Sequence, residues 1–269
     1  MPGRRSVIPF AKKSFGQNFL VDQNYVVKII DALNVSKDDT VIEIGPGRGA
    51  LTKTLIEHAA NVVAIELDRD MIAVLNEEFG HLPNFHLVAD DALWVDFRDL
   101  SARFSGTPDC KTILVANLPY YISTTILQRL TDQRDAFDRM VLMFQREVVE
   151  RITAKPGDSE RGFLTVLVEA YLEVEKLFDV PPLAFRPPPK VWSSVLRLTS
   201  KPSPAIDPES FRKLVSLAFK QKRKTIFNNL RSNFPDAMAK LSAAKIDSAR
   251  RAETLTIEEW LQLGLELKL

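Results

Sequence analysis

Residues 41–50 have the sequence VIEIGPGRGA, in which an apolar run passes directly into three closely spaced glycines. The apolar run at 41–44 is typical of a strand buried on both faces. A glycine-rich turn after such a strand lets the backbone come close to a ligand, because glycine has no β-carbon. Pro46 restricts the residue before it, so we expect Gly45 to be extended. A tight strand-to-helix turn that binds nothing fits the same residues, so this motif needs support from elsewhere in the chain.

Strands and helices are predicted to alternate on both sides of this motif. Short apolar runs predict strands, each buried on both faces, at residues 41–44, 62–65, 85–88, 113–116 and 140–144. Apolar residues at helical spacing predict helices around residues 26–33, 51–55, 72–79 and 126–130. This order predicts an α/β fold with a mostly parallel sheet and helices on both of its sides. Two later strands are expected at residues 172–177 and 191–198.

The C-terminal part of the chain has a different pattern. Residues 201–208 contain three prolines and are interpreted as a linker. Apolar residues then recur at helical spacing from Phe211 to Phe219, and Thr256 with Glu259 predicts a capping box for a last helix that carries Trp260. We therefore expect a first domain at residues 1–200 and a small all-helical domain at residues 201–269.

Acidic side chains follow the second and third predicted strands. Glu66 ends the second strand, where a carboxylate can accept hydrogen bonds from both hydroxyls of a ribose. Asp91 ends the third strand and can accept from the amino group of an adenine, whereas Asp90 is expected to be a solvated turn residue. Asp68 and Asp70 are expected to begin the next helix, whose positive dipole end favours acids. With the glycine turn, these strand ends predict one continuous adenosine site.

The fourth strand ends in the tetrapeptide Asn117-Leu118-Pro119-Tyr120. An exocyclic adenine amine is a poor nucleophile, because its lone pair is delocalised into the ring. Acceptors on both of its N–H groups, the Asn117 side-chain oxygen and the Leu118 carbonyl, would direct that lone pair at an incoming methyl group. Pro119 stiffens the loop, and Tyr120 offers a flat face for the base. This chemistry needs positioning and electrostatics rather than a strong base. The alternative is a turn with an Asn cap and a core tyrosine.

Charge and composition limit the other classes of function. The 269 residues are 45% hydrophobic and 26% charged with a net charge of +1, which is ordinary for a soluble protein. The single cysteine, Cys110, excludes an intramolecular disulfide, and no apolar run is long enough for a membrane helix. Two stretches are basic and contain no acid: residues 1–20 with Arg4, Arg5, Lys12 and Lys13, and residues 211–231 with Arg212, Lys213, Lys220, Lys222, Arg223, Lys224 and Arg231. Such local basic patches suit a polyanionic partner.

The chain resembles the ribosomal RNA adenine N6,N6-dimethyltransferase family, which acts on two adjacent adenines near the 3′ end of small-subunit RNA. The resemblance covers nearly the full length. Its blocks are FGQNFL at residues 15–20, the glycine segment at 43–52, ELD at 66–68, NLPY at 117–120, FRPPPKV at 185–191 and FKQKRKT at 219–225. The resemblance implies a Rossmann-like class I methyltransferase fold and S-adenosylmethionine as the cofactor.

The same resemblance assigns roles to individual residues. It implies that Asn18 and Leu20 close over the cofactor, that Gly45 lies against its methionine part, and that Asn117 faces the target amine. The cofactor-binding residues expected on this basis are Gln17, Asn18, Leu20, Gly45, Gly47, Glu66, Asp91, Ala92 and Asn117. The catalytic residues expected are Asn117, Leu118, Pro119, Tyr120 and Phe185.

Phe185 precedes three prolines, a stiff segment that could hold its ring opposite Tyr120 as the other side of a base clamp. A core aromatic is the alternative, and the resemblance favours the clamp. Tyr121 is a local variation, since some relatives carry a smaller polar residue there. The residues expected to contact RNA phosphates are Lys190, Lys220, Lys222, Arg223 and Lys224.

Several other functions share parts of this pattern. A large-subunit RNA methyltransferase of the macrolide-resistance type shares the cofactor blocks, but the basic block at 220–224 favours the small subunit. A nucleic-acid-binding assembly or transcription factor on the same fold would not need an intact cofactor site. A nicotinamide oxidoreductase fits the glycine spacing but leaves residues 117–120 without a role. We expect a cytoplasmic monomer that acts on the immature small ribosomal subunit, without metal and without a membrane.

Overall fold

The computed structural model describes residue 12, residues 16–104 and residues 110–268, which form two compact units. Unit 1 contains the described residues up to Arg146 together with Glu175–Thr199, and unit 2 contains Glu147–Val174 and the described residues from Ser200 onward. Unit 2 thus includes residues 147–174, which the sequence analysis placed in the first domain. Arg4, Arg5, Lys13 and Phe15 lie outside the described residues.

The strands form a seven-stranded sheet and a separate two-stranded ribbon. They are β1 (Phe19–Leu20), β2 (Thr40–Ile44), β3 (Asn61–Glu66), β4 (Phe85–Ala89), β5 (Thr112–Asn117), β6 (Arg139–Gln145), β7 (Leu172–Val180), β8 (Phe185–Arg186) and β9 (Ser193–Ser200). The sheet order is β4-β3-β2-β5-β6-β9-β7, and the first five of these strands run parallel, whereas β9 is antiparallel to β6. The predicted mostly parallel sheet is confirmed.

The helices of unit 1 follow the strands in the predicted alternation. They are α1 (Gln23–Leu33), α2 (Thr52–His58), α3 (Arg69–Phe79), α4 (Phe97–Phe104) and α5 (Ser123–Asp132). The predicted burial of every strand on both faces is wrong for β4, whose central residues are partly exposed. The reason is topological, because β4 is an edge strand of the sheet.

Register aligns the carboxyl ends of the central strands. Ile44 pairs with Ile65 on one side and with Ala116 on the other, so the residues that follow them emerge at one edge of the sheet. The ribbon lies outside this sheet and pairs Phe19 with Arg186 and Leu20 with Phe185. The sequence analysis did not predict the ribbon, because two-residue strands carry no periodicity.

Unit 2 is built mainly from helices. They are α6 (Arg146–Ile152, whose first residue belongs to unit 1), α7 (Phe163–Tyr171), α8 (Pro208–Ala218), α9 (Ile226–Leu230), α10 (Ala237–Ala243) and α11 (Ile257–Glu266). The helix α7 packs against α8 and α11, which explains why residues before 200 join the C-terminal helices. The predicted capping box is confirmed, since Thr256 Oγ1 accepts from Glu259 N at 3.3 Å and Glu259 Oε2 accepts from Thr256 N at 2.9 Å.

Within the described part of the chain, no helix combines the length and apolar character needed to cross a membrane.

Candidate active site

One cavity of unit 1 lies at the carboxyl edge of the sheet. Its wall is formed by residues 16–21, 43–48, 50–51, 65–67, 90–92, 117–122 and 126. Every residue that the sequence analysis expected to bind the cofactor is part of this wall, as is the whole tetrapeptide at 117–120. The physical reason is the strand register, which brings four separate strand ends to the same edge.

The glycine turn directly follows β2 and lines the cavity. Gly45 has a φ of +67°, so the expectation that it is extended is wrong, and only the missing β-carbon makes this conformation cheap. A β-carbon on Gly45 would meet no atom within 4 Å, so it would project into open space on the cavity side. Gly47 has a φ of +57°, and its β-carbon would lie 2.9 Å from the ring of Phe19. The positive φ therefore favours glycine at both positions, and the ring of Phe19 adds a steric reason at Gly47.

Glu66 connects the end of β3 to the glycine turn. Its Oε1 accepts from the backbone N–H groups of Leu67 and Asp68, both at 2.9 Å, and its Oε2 accepts from Gly47 N at 3.2 Å. Burial raises the pKa of Glu66, while these three N–H donors oppose that rise. The carboxylate is thus held in place by the backbone and still forms part of the cavity wall.

Asp91 and Ala92 form the far end of the cavity beyond β4. Asp91 Oδ1 accepts from Leu93 N at 2.9 Å, and no described residue donates to Oδ2. Asp90 is exposed, as expected of a solvated turn residue, and it accepts from Asp91 N at 2.7 Å. One oxygen of Asp91 is therefore left to accept a hydrogen bond from a ligand.

Residues 16–21 close one side of the cavity, and Asp68 anchors them. Asp68 accepts from Asp70 N at 3.0 Å as the cap of α3, which confirms its predicted position at a helix start. It also accepts from Lys12 Nζ at 2.6 Å and from Gln17 Nε2 at 2.8 Å. Burial alone would raise the pKa of Asp68, but these hydrogen bonds outweigh burial and lower it. This anchoring role of Asp68 was missed, because the residue also fits an ordinary helix cap.

Asn117 sits where β5 ends and contacts the opposite wall. Its Nδ2 donates to the backbone oxygen of Asn18 at 3.2 Å, which leaves Oδ1 as the acceptor of the amide group. Leu118 and Pro119 continue the wall, with the Leu118 side chain buried at 1% exposure. Asn117 Oδ1 is thus available as an acceptor in a residue that lines the cavity.

Two tyrosines follow in the same loop. The hydroxyl of Tyr120 lies 2.8 Å from Ser193 Oγ. Burial raises the pKa of Tyr120, and the hydrogen bond with Ser193 offsets only part of this rise. Tyr121 is 58% exposed and also lines the cavity. The sequence analysis treated Tyr121 only as a local variation, although it is the more exposed of the two aromatic side chains.

The structure does not support the prediction that Phe185 forms the second side of a base clamp. Its side chain is 1% exposed and packs in the hydrophobic core with Leu20, Ala184 and Val195, and it is not part of the cavity wall. The pairing of β8 with β1 is the physical reason, because it turns Phe185 inward beside Leu20. The alternative of a core aromatic describes Phe185 in this structure.

Glu43 is a buried carboxyl group in the cavity wall that the sequence analysis did not single out. It lies at 2% exposure in β2 and accepts from Thr52 Oγ1 at 2.6 Å. Burial raises the pKa of Glu43 to about 7; the hydrogen bond from Thr52 opposes this rise, and the charge of Glu66 adds to it. A strand-interior acid among apolar residues is the sequence signal that could have identified it.

The raised pKa of Glu43 predicts how stability depends on pH. The carboxyl group of Glu43 binds its proton more tightly in the folded than in the unfolded protein. Its contribution to folding stability is therefore complete below about pH 4.5 and is lost as the pH rises through about 7. Between pH 5 and 8, Glu43→Gln should therefore gain up to about 3 kcal/mol of unfolding free energy relative to the unmodified protein. Urea titrations at several pH values measure this difference. The exposed Glu57→Gln is the control, and equal pH profiles for both variants would contradict the assignment.

The basic residues expected to contact RNA all lie on the surface of their units. Lys190 is exposed in unit 1. In unit 2, Lys220, Lys222, Arg223 and Lys224 are exposed in the turn between α8 and α9, where Lys222 Nζ donates to Ser159 O at 2.6 Å. Within the described residues, no cluster of three or more His, Cys, Asp or Glu side chains could hold a metal ion.

A comparison with models of protein families shows to which family the chain belongs. The family model described as ribosomal RNA adenine dimethylase matches residues 10–268. The chain belongs to the ribosomal RNA adenine dimethylase family. Membership confirms the resemblance on which the expected enzyme class was based, and it covers the residues of both units.

Curated relatives of this family member are similar over nearly their whole length. The ribosomal RNA small subunit methyltransferase A of Moorella thermoacetica is 45% identical over 266 residues, which cover 96% of this chain and 92% of the relative. The protein of the same name from Geobacillus thermodenitrificans is 41% identical over 264 residues, which cover 94% of this chain and 89% of the relative.

Two solved structures of similar proteins confirm the Rossmann-like class I methyltransferase fold. A dimethyladenosine transferase from Plasmodium falciparum matches 93% of this chain and 97% of its own, with a TM-score of 0.75 and 26% identity. The 23S rRNA methyltransferase ErmE matches 94% of this chain and 100% of its own, with a TM-score of 0.69 and 26% identity.

Proposed function

We propose that this member of the dimethylase family transfers methyl groups from S-adenosylmethionine to N6 of two adjacent adenines near the 3′ end of small-subunit ribosomal RNA. The observation that carries the proposal is the convergence of Gly45, Glu66, Asp91 and Asn117 on one cavity. The curated relatives are named for the small subunit, which favours that substrate over the large subunit.

The cavity residues fit an adenosine-containing cofactor. Glu66 can accept from the ribose hydroxyls, because its carboxylate is fixed by backbone donors at the cavity wall. Asp91 Oδ2 can accept from the adenine amino group, and the open space beside Gly45 admits the methionine part. When bound, S-adenosylmethionine supplies an electrophilic methyl carbon. Gln17, Asn18 and Leu20 would then shield it from water.

The tetrapeptide would hold the target adenine. Asn117 Oδ1 and the Leu118 carbonyl would accept the two amine N–H groups and so direct the nitrogen lone pair out of the ring plane. Tyr120 would present its ring to the base, with its hydroxyl group held by Ser193. The alkylated nitrogen becomes acidic and releases its proton to water, so none of these residues needs to act as a strong base.

Methyl transfer to defined particles tests this function. Purified protein with labelled cofactor should methylate small-subunit particles from cells that lack the gene, and mass mapping should find the label on two adjacent adenines near the RNA 3′ end. Mature, already modified particles should accept none. Label in large-subunit RNA would favour the activity named for ErmE instead, and RNA binding without any transfer would favour a non-enzymatic assembly factor.

The turn between α8 and α9 supports a role for unit 2 in RNA binding. Neutralising Lys222, Arg223 and Lys224 together should weaken binding to small-subunit particles and lower the slope of log affinity against log salt by about 2. Electrophoretic mobility measurements at several salt concentrations would check this. Neutralising three exposed lysines of unit 1, Lys37, Lys53 and Lys111, is the charge-matched control. Equal salt slopes for both triple variants would show that the turn is only a solvated surface.

The proposal also covers the oligomeric state of the enzyme and the compartment in which it acts. The cavity wall is complete within one chain, which supports a monomer as the active form. The bacterial origin of the curated relatives supports action in the cytoplasm, where bacterial small subunits assemble. In this proposal unit 1 carries out the chemistry, and Lys190 and Lys220 add phosphate contacts to those of the three cations tested above.

A further inference from the structure

Trp192 is a large exposed side chain next to the tetrapeptide. It is 47% exposed and directly precedes Ser193, whose hydroxyl lies 2.8 Å from that of Tyr120. The backbone of Trp192 is also held, because Trp192 O accepts from Arg146 N at 2.9 Å. A fixed backbone thus presents an indole ring to solvent one residue away from a contact to the proposed base-binding tyrosine.

The chain around Trp192 is basic. Residues 180–206 contain no aspartate or glutamate, and the exposed cations nearest in sequence are Arg186 and Lys190. Arg186 Nη1 donates to the carbonyl oxygens of Leu183 at 3.3 Å and Phe185 at 3.0 Å, which positions the guanidinium group on the surface. None of the ion pairs found among the described residues includes Lys190 or Arg186. Both cations can therefore meet phosphates.

Trp94 provides an internal comparison. It is 79% exposed, yet its neighbours in sequence include Asp90, Asp91, Asp96 and Asp99. Acids of this density repel a phosphate backbone. The two exposed tryptophans thus differ in the charge of the sequence that flanks them, and of the two only Trp192 lies in a stretch without acids.

We propose that Trp192, together with Arg186 and Lys190, forms a platform for single-stranded RNA next to the target adenine. The indole stacks on the base of a flanking nucleotide, and the two cations contact its phosphates. Stacking requires an unpaired base, so the platform selects RNA that is locally single-stranded. This inference rests on the proposed function and adds to it the part of the RNA that is held outside the cavity.

Binding of oligoadenylate RNA to the full chain tests the platform. Trp192→Ala should weaken this binding about tenfold and raise KM for small-subunit particles much more than it lowers kcat. Trp192→Phe should retain most of the affinity, because phenylalanine also stacks. RNA should quench tryptophan fluorescence in the unmodified protein and in Trp94→Phe but not in Trp192→Phe, and a duplex RNA should quench little.

The matched control is Trp94→Ala, which removes the more exposed of the two indoles and should leave RNA affinity unchanged. Equal affinity of Trp192→Ala and Trp94→Ala for oligoadenylate would overturn the platform, and so would equal quenching by duplex RNA. A loss of cofactor affinity or of thermal stability in Trp192→Ala that matches its loss of RNA binding would also overturn it, by showing a structural role.

The two proposals fail in different ways. If unmodified protein methylates small-subunit adenines while Trp192→Ala keeps its normal KM, only the platform is wrong. If the unmodified protein transfers no methyl group to any ribosomal RNA, the proposed function is wrong.

Discussion

Asn117→Ala should lower kcat for adenine methylation about 100- to 1000-fold, while the Kd of S-adenosylmethionine changes only a few fold. The reason is that Asn117 Oδ1 would accept from the reacting amine, whereas its Nδ2 only contacts the Asn18 carbonyl at 3.2 Å. Alanine removes the acceptor that directs the lone pair and leaves the cofactor residues of the other strands in place. Single-turnover rates with saturating particles, together with calorimetric cofactor titrations, measure the two effects separately.

The control for this prediction is Asn76→Ala, the same change at an exposed position of α3. It should leave kcat, cofactor affinity and thermal stability unchanged. Loss of the contact to Asn18 costs Asn117→Ala about 1 kcal/mol, so its melting temperature should fall only slightly. Unchanged turnover in Asn117→Ala would remove the residue from the catalytic assignment.

Glu66→Ala should weaken cofactor binding by more than about 100-fold. Two hydrogen bonds from ribose hydroxyls to a charged acceptor contribute roughly 1.5–3 kcal/mol each, and the change also removes the partner of three backbone N–H groups. Glu66→Gln keeps the volume of the side chain and one oxygen, so its loss of affinity should be about tenfold. Calorimetry with S-adenosylmethionine measures both variants, with the exposed Glu57→Ala as the control.

Glu66 could affect cofactor binding in two ways, by accepting from the ribose hydroxyls or by supporting the glycine turn. A ligand without ribose hydroxyls distinguishes these two roles. The unmodified protein should bind the dideoxy analogue of the cofactor far more weakly than the cofactor itself, whereas Glu66→Ala should bind both about equally. If Glu66→Ala still prefers the cofactor over the analogue by the full factor, then Glu66 only supports the backbone of Gly47, Leu67 and Asp68.

Local patterns were sufficient for most of the fold. The central strands are mostly apolar, and α1 and α8 show the spacing of one buried face, so these patterns identify them without tertiary contacts. The glycine turn, Glu66, Asp91 and Asn117 could be placed in one site for a general reason, because residues that follow parallel strands meet at one edge. The hydrogen bonds that these side chains can form follow from their residue types alone.

Long-range packing decided what local patterns could not. The pairing of β1 with β8 joins residues more than 160 positions apart, and it buries Phe185 in the core, against the expectation of a base clamp. Asp68 gained its anchoring role through its contacts with Lys12 and Gln17, and the pKa of Glu43 is raised mainly by its burial. The φ of Gly45 likewise departs from the local rule for a residue before proline.

The sequence by itself thus determined the α/β order, the edge at which the site lies and the residue types that form it. Those features depend on hydrophobic period and on the geometry common to parallel sheets. Only the tertiary structure decided which aromatic rings face the cavity, which acids are held by partners and where the second unit begins. These outcomes depend on contacts between distant segments, whose energies no local window of the chain contains.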